Sequence, residues 1–98
     1  VLRMTLVPID EETRRRLHAP PELKGVLVET VEQASDAGQK GLRHGDVIVQ
    51  AGGRPVNSAA DVAAAVEVAK KANRTGVLVG VFRQGRTTFL PLKLVAGG

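Results

Sequence analysis

The sixteen residues Gly41-Leu42-Arg43-His44-Gly45-Asp46-Val47-Ile48-Val49-Gln50-Ala51-Gly52-Gly53-Arg54-Pro55-Val56 constrain the fold more than any other stretch of this chain. The apolar run Asp46 to Ala51 is too short for a helix of ordinary length and is bounded on both sides by glycines, so it reads as a strand entered and left by turns. Gly52-Gly53 makes a tight turn, because glycine reaches positive φ without a Cβ clash. Asp46, directly after Gly45, reads as a carboxylate that ties down the turn before the strand rather than as a catalytic acid. A single short strand cannot bury itself, so the rest of the chain must supply its neighbours.

Those neighbours are visible. Leu2 to Val7 alternates, with Leu2, Met4 and Leu6 on one face and Arg3 and Thr5 on the other, as in a half-buried strand that Pro8 ends. Asp10 caps a short helix to about Leu17, acids first and arginines last, and His18-Ala19-Pro20-Pro21 stops it. Gly25 to Val31 is a valine-rich strand, and Ser35 to Lys40 is a short helical turn closed by Gly41. Asn57 or Ser58 starts the one long helix, Ser58-Ala59-Ala60-Asp61 resembles a capping box with aspartate in the acidic position, and the alanine-rich run continues to about Ala72. On it, Val62, Ala65, Val66 and Ala69 form one apolar stripe, and Ala59, Ala63 and Val66 a neighbouring one. Gly76 to Arg83 and Thr87 to Val95 form a hairpin about Gln84-Gly85, and Pro91 marks the last strand as an edge or a bulge. The expected fold is α+β: five or six short strands in a partly open barrel or sandwich, capped by one long and one or two short helices.

With 98 residues the chain fits one domain, residues 1–95, with 96–98 as a loose tail. It begins at Val1 without an initiator methionine, which reads as a fragment of a longer protein or a processed chain. There are no cysteines, so disulfides and thiolate metal sites are excluded. No apolar run approaches the ~20 residues that span a bilayer, so direct membrane insertion is not expected. The net charge of +4 raises nucleic acid as a partner. Against it, Phe82 and Phe89 are the only aromatics, and the one run of three basic residues, Arg14-Arg15-Arg16, reads as a solvated helix end.

The search for chemistry is short. His18 and His44 sit in turns, Ser35 and Ser58 lie in no GxSxG elbow, and no carboxylate cluster has ligand spacing. The glycine clusters match neither a P-loop nor a dinucleotide fingerprint. No catalytic residue, metal or cofactor is expected. What remains is a surface. If the first strand lies beside the long helix, the gap between them is an apolar groove with a free backbone edge, to which an extended peptide can add as one more strand.

Residues 31–56 resemble the core signature of PDZ domains of the circularly permuted bacterial kind, which commonly runs V-x-x-x-S-P-A-x-x-A-G-L-x-x-G-D-V-I-x-x-x-N-G-x-x-V. Ser35-Asp36-Ala37, Gly41-Leu42-Arg43-His44-Gly45-Asp46-Val47-Ile48 and Gly53-Arg54-Pro55-Val56 carry the match. Asn57 to Val62 and Val81 to Gly85 look like that family's helix start and last hairpin. Asp36 stands where proline is usual, Gly38 and Lys40 where alanine is usual, and Gly52 where asparagine is usual; these departures touch the scaffold and are expected to cost little. In this family backbone N–H groups of an x-Φ-Gly-Φ loop hold the ligand carboxylate. The matching stretch is Val1-Leu2-Arg3-Met4, with Arg3 in place of glycine. Two readings of Arg3 stand side by side: it adds positive charge for a carboxylate, or it distorts the loop, since arginine does not take positive φ cheaply.

The segment from Leu6 to Val31 looks most like the PDZ regions of HtrA-type (Deg or Do family) periplasmic serine proteases, and more like the second PDZ domain than the first. That resemblance implies a non-catalytic module that recognises C-terminal or unfolded hydrophobic peptide segments, in a parent that is a serine endopeptidase of protein quality control. It implies contact with other domains or subunits of the parent, and location in the periplasm. Leu2, Arg3 and Met4 would meet the carboxylate and first hydrophobic side chain, Thr5, Leu6 and Val7 the peptide backbone, and Ala59, Val62, Ala63 and Val66 the helix side of the groove. The alternative is a structural docking domain that sets oligomer geometry without binding free peptide.

Overall fold

The computed structural model describes residues 2–94, so Val1 and the expected tail 96–98 lie outside the described residues. Its elements run β1 (Met4–Pro8), α1 (Glu11–Arg16), β2 (Val26–Val31), α2 (Asp36–Gln39), β3 (Val47–Ala51), β4 (Arg54–Pro55), α3 (Ala59–Lys71), β5 (Gly76–Arg83) and β6 (Arg86–Lys93). The strands form one antiparallel sheet in the order β1-β2-β3-β5-β6, with β4 paired to β3. This is the expected α+β architecture, with six strands and three helices among the described residues.

The local signals explain the boundaries. Asp10 caps α1 by accepting from the Thr13 N–H at 2.8 Å, and this bond holds its carboxyl below the usual aspartate range. Ser35 caps α2. Ser58 and Asp61 close the expected capping box on α3. Gly52 and Gly53 have φ of 61° and 81°, and Gln84 and Gly85 have 51° and 80°. Two positive values in succession are the type I′ geometry whose twist matches a β-hairpin. The first strand differs from expectation: Leu2 and Arg3 have φ of 54° and 66° and form a turn, so β1 starts at Met4, and it includes Pro8 at its last position. Proline is tolerated there because β1 is an edge strand and Pro8 ends it.

The core lies between the sheet and α3. Val26, Val28, Leu42, Ile48, Val56, Val62, Val79 and Leu92 are at most 1% exposed, and burying each side chain of this size contributes about 1.5–3 kcal/mol. On α3 the buried residues are Val62, Val66 and Ala69, with Ala65 packed at the margin, which is the first of the two stripes read from the sequence.

Asp46 is the one acid in this interior, 2% exposed. Its carboxylate accepts from the Arg43 N–H at 3.1 Å and from Arg83 Nε at 2.6 Å, and a second Arg83 nitrogen, Nη2, completes a two-pronged pair. Arg83 Nη2 also donates to the Gly41 carbonyl at 2.8 Å. The expected turn-tying role of Asp46 therefore holds, and it extends to β5. The pair also raises the Arg83 guanidinium further above its ordinary value.

The far edge of the sheet is closed by residues expected to cost little. The Asp36 carboxylate accepts from the backbone N–H of Lys93 at 2.8 Å and from Lys40 Nζ at 3.2 Å. Lys40 Nζ also donates to the Pro91 carbonyl at 2.7 Å. Pro91 has no N–H to offer, so α2 and Pro91 together occupy the C-terminal part of the β6 edge. Gly38 is equally specific: a Cβ there would sit 2.5 Å from the Glu32 carbonyl oxygen. The departures from the family pattern at 36, 38 and 40 thus form one local solution, in which α2 presses on residues 32–33 and clasps β6.

Replacing Arg83 by Met should destabilise the domain by about 2–4 kcal/mol in chemical denaturation, because it leaves the Asp46 carboxylate buried without its cation. The backbone N–H of Lys93, and then Lys40, hold the Asp36 carboxyl below its usual value. Its contribution to stability is therefore present above about pH 4 and lost as pH falls through the folded-state value. The stability gap between wild type and Asp36→Asn should be widest at neutral pH and narrow below about pH 4, read from denaturation midpoints across pH.

Candidate functional site

β1 pairs only with β2, so its other side is an open edge. The Arg3 carbonyl accepts from the Glu32 N–H at 3.0 Å, which points it toward β2. A trans peptide plane directs the next N–H the opposite way. Alternation along the strand then turns the main-chain groups of Thr5 and Val7 toward β2 and those of Leu6 toward the open side. Of the three residues expected to pair with a peptide backbone, the ladder directs Leu6 outward.

The register of β1 depends on a bulge in its partner. Thr5 pairs with Thr30 and Leu6 with Val28, so Glu29 is the extra residue. The bulge places both Glu29 and Thr30 on the exposed side. The Glu29 carbonyl is taken up by His44 Nδ1 at 2.8 Å. A carbonyl only accepts, so Nδ1 carries the proton.

α3 packs against β1, β3 and β5. A helix turns about 100° per residue, which places Ala59, Ala63 and Lys70 on one flank of the buried stripe and Ala65 on the other. Ala65 faces Gly52, whose added Cβ would lie 3.5 Å from the Ala65 Cβ. The flank bearing Ala59 and Ala63 is therefore the one turned away from the β3–β4 turn. Both residues are half-buried. The capping box fixes where this flank begins: Asp61 accepts from the N–H groups of Asn57 at 2.8 Å and Ser58 at 3.2 Å, immediately before Ala59.

The nine sequence-derived site residues thus divide by depth. Met4, Val62 and Val66 are core, at 4%, 0% and 6% exposure. Leu2 and Leu6 are half-buried and pack on that core. Ala59 and Ala63 are half-buried on the helix flank, and Arg3 and Thr5 are exposed. Arg3 takes the left-handed conformation that glycine would take, and its guanidinium reaches both carboxylate oxygens of Glu32 at 3.1 Å. The Arg3–Glu32 pair is separated by 29 residues and left no local signal in the sequence. The support that His44 gives Glu29 was hidden for the same reason.

Two concavities are present, the first of which shares Leu2 and Arg3 with the sequence-derived site. One of about 210 Å³ is bounded by Leu2, Arg3, the start of α2 and Leu92-Lys93. The other, about 530 Å³, lies beside the β5–β6 hairpin. Strand addition uses an edge rather than a deep cavity, and the open side of β1 is such an edge. Among the described residues no group of three or more His, Asp or Glu side chains is placed to hold a metal ion. Among the described residues no helix is long and apolar enough to cross a membrane.

The sequence profile of the PDZ domain matches residues 5–94. The chain is a PDZ domain. It is similar to the probable periplasmic serine endoprotease DegP-like of Brucella suis biovar 1 (strain 1330), 37% identical over 71 residues, 72% of this chain and 14% of that protein. It is also similar to the magnetosome formation protease MamE of Magnetospirillum gryphiswaldense, 34% identical over 92 residues, 94% of this chain and 12% of that protein. The PDZ domain therefore spans about one-seventh of the length of the first relative. Among solved structures it superposes on the HtrA3 PDZ domain bound to a phage-derived ligand with a TM-score of 0.74, at 19% identity, covering 95% of this chain and 82% of that one. The HtrA-type protease AlgW with a decapeptide gives a TM-score of 0.71 at 22% identity, covering 95% and 28%. These neighbours share the fold.

Left-handed backbone costs an L-residue roughly 1–2 kcal/mol, and an exposed ion pair contributes at most about 1 kcal/mol. Arg3→Ala loses the pair and keeps the strain, whereas Arg3→Gly loses both. The glycine variant should be more stable than the alanine variant by about 1 kcal/mol; thermal unfolding of the two in parallel measures this, and an equal or reversed order would contradict the assigned turn.

Proposed function

We propose that this PDZ domain is the peptide-recognition module of an HtrA-type serine protease of the bacterial envelope, taking C-terminal or unfolded hydrophobic segments by strand addition to β1. One observation carries the reading. The sheet has two ends, and the β6 end is clasped by Asp36, Lys40 and Pro91 while the β1 end is left beside α3. An exposed edge is an aggregation hazard that natural sheets normally blunt. Blocking the C-terminal part of one edge and leaving the other open beside an apolar helix flank fits an edge kept for a ligand. The relatives named as periplasmic serine endoproteases support a periplasmic protease as the parent, and the two structural neighbours carry peptide ligands.

In this reading the peptide runs antiparallel to β1 with its C-terminus at the Leu2–Arg3 turn. Met4, Val62 and Val66 form the floor of the first pocket, and Leu2, Leu6, Ala59 and Ala63 form its walls. Small walls over an aliphatic floor suit an aliphatic terminal side chain. Few contacts of this kind give micromolar affinity, on the order of −8 kcal/mol. A second reading, docking onto other domains or subunits of the parent without free peptide, is favoured by the Arg3–Glu32 pair, which neutralises the one added charge beside the carboxylate loop.

An NMR titration of the 15N-labelled domain separates these. Peptides ending in valine or leucine should shift amides of Leu2–Val7 and of the first half of α3 saturably, and their amidated forms should bind at least tenfold more weakly. Ala63→Phe, on the half-buried flank, should abolish those shifts while leaving the spectrum folded. Retention of binding by amidated peptides would mean that internal segments are read. No shift at millimolar peptide would favour the docking reading.

A further inference from the structure

The second cavity has a wall chemistry that the groove does not use. It is lined by the end of α1 and the turn after it (Arg16, Leu17, His18), the turn before β3 (Arg43 to Asp46) and the β5–β6 hairpin (Phe82 to Gly85). It gathers three guanidiniums and both histidines of the chain around about 530 Å³. The one carboxylate in the wall, Asp46, is buried and already committed to Arg83 and to the Arg43 N–H. Three guanidiniums against one carboxylate leave a local surplus of positive charge even with both imidazoles neutral.

Two of the five basic side chains, Arg83 and His44, are held in place. Asp46 and the Gly41 carbonyl fix Arg83 through Nε and Nη2, and among the described residues its Nη1 has no hydrogen-bond partner. His44 is fixed through Nδ1, which leaves Nε2 as its available nitrogen. The α1 end is anchored by Arg14, whose Nε donates to the Leu23 carbonyl at 2.8 Å. Arg16 and Arg43 form no ion pair among the described residues. The guanidiniums of Arg16 and Arg43 can each take a carboxylate in two prongs, and the fixed Arg83 and His44 reduce the ordering cost of binding beside them.

We propose that this cavity is a second recognition site, on a different part of the domain from the β1–α3 groove, and that it takes an acidic peptide segment. Size and lining favour a peptide over a lone ion. A volume of about 530 Å³ holds two or three side chains, and Leu17 and Phe82 supply apolar wall between the charges. None of the nine groove residues lines it, so the two sites can be filled independently.

The test uses the 15N-labelled chain at physiological salt and the blocked peptide acetyl-Asp-Glu-Ala-Asp-Glu-amide. It has no free C-terminus to offer the groove, so its result is independent of the β1 reading. Saturable shifts at Leu17, His44, Gly45, Gln84 and Gly85 are expected, with β1 and α3 unmoved. The Asn/Gln counterpart of the peptide should give none. The double variant Arg16→Gln/Arg43→Gln should weaken binding at least tenfold while its spectrum stays folded; Arg83 is left in place because it holds Asp46. The proposal is overturned by the absence of saturable shifts at millimolar peptide, by equal shifts from the Asn/Gln peptide, or by binding that the double variant does not weaken. Displacement of the peptide by lower concentrations of pyrophosphate would also overturn it, assigning the cavity to phosphate instead.

Discussion

The Asp46–Arg83 pair is the interaction on which the rest of the arrangement depends. A carboxylate 2% exposed needs a cation and hydrogen bonds to be there at all, and Asp46 has two prongs of one guanidinium and a backbone N–H. Because those partners come from the turn at residues 41–46 and from the end of β5, the pair sets how the turn enters β3. It also sets where the β5–β6 hairpin begins. The same turn presents His44 to the bulged carbonyl of Glu29, so the register of β1 against β2 is braced from the Asp46 side. A single buried charge thus reaches the candidate groove through three hydrogen-bonded steps, and it holds Arg83 at the wall of the second cavity as well.

The sheet's two ends are treated by opposite means. At β6 a proline without an N–H is joined by two side chains from α2 that occupy main-chain groups of the strand. At β1 the neighbour is α3, whose flank turned away from the β3–β4 turn carries Ala59 and Ala63 in its first half and Lys70 in its last turn. The capping box fixes where the small-residue half of that flank begins. The Leu2–Arg3 turn adds strain at the same end, two L-residues in left-handed conformation, and strain of this kind persists only where surrounding contacts over-determine it. The ladder to Glu32 and the Arg3–Glu32 pair supply those contacts.

Much of this was legible in the sequence, for identifiable reasons. Capping residues act within three positions of their targets, so Asp10 and Ser58 announced their helices, whereas the Ser35 cap on the Gly38 N–H went unread. Paired glycines announced one I′ turn directly, and Gln84-Gly85 announced the other. The period of the α3 stripes set Val62 and Ala69 apart from Ala59 and Ala63, but not which stripe meets the core. What the sequence concealed is non-local. The Arg3–Glu32 and Arg83–Asp46 pairs join residues 29 and 37 positions apart, and neither spacing has a period. The expectation that Asp36, Gly38 and Lys40 are neutral scaffold changes missed their joint role. Only the Asp36–Lys40 spacing of four was readable, and what it grips, the β6 edge, lies more than fifty residues away. The start of β1 was misplaced by two residues because alternation continues through Leu2 and Arg3 while their backbone has already turned.

The asymmetry of the sheet also decides what happens when two molecules meet. Growth of an ordered filament by strand pairing needs a donor edge and an acceptor edge on the same molecule, so that each addition regenerates the surface it consumed. Here the β6 edge lacks an N–H at Pro91, and the Lys93 N–H and Pro91 carbonyl are already engaged. The C-terminal half of β6 is thereby closed to an incoming strand, whereas β1 keeps its full length. A β1-to-β1 contact is isologous and closes on a two-fold axis, while the β6-to-β1 contact that would propagate loses main-chain groups it needs. Proline and a lysine–aspartate clasp at one end of the sheet thus weigh against open-ended growth from the other.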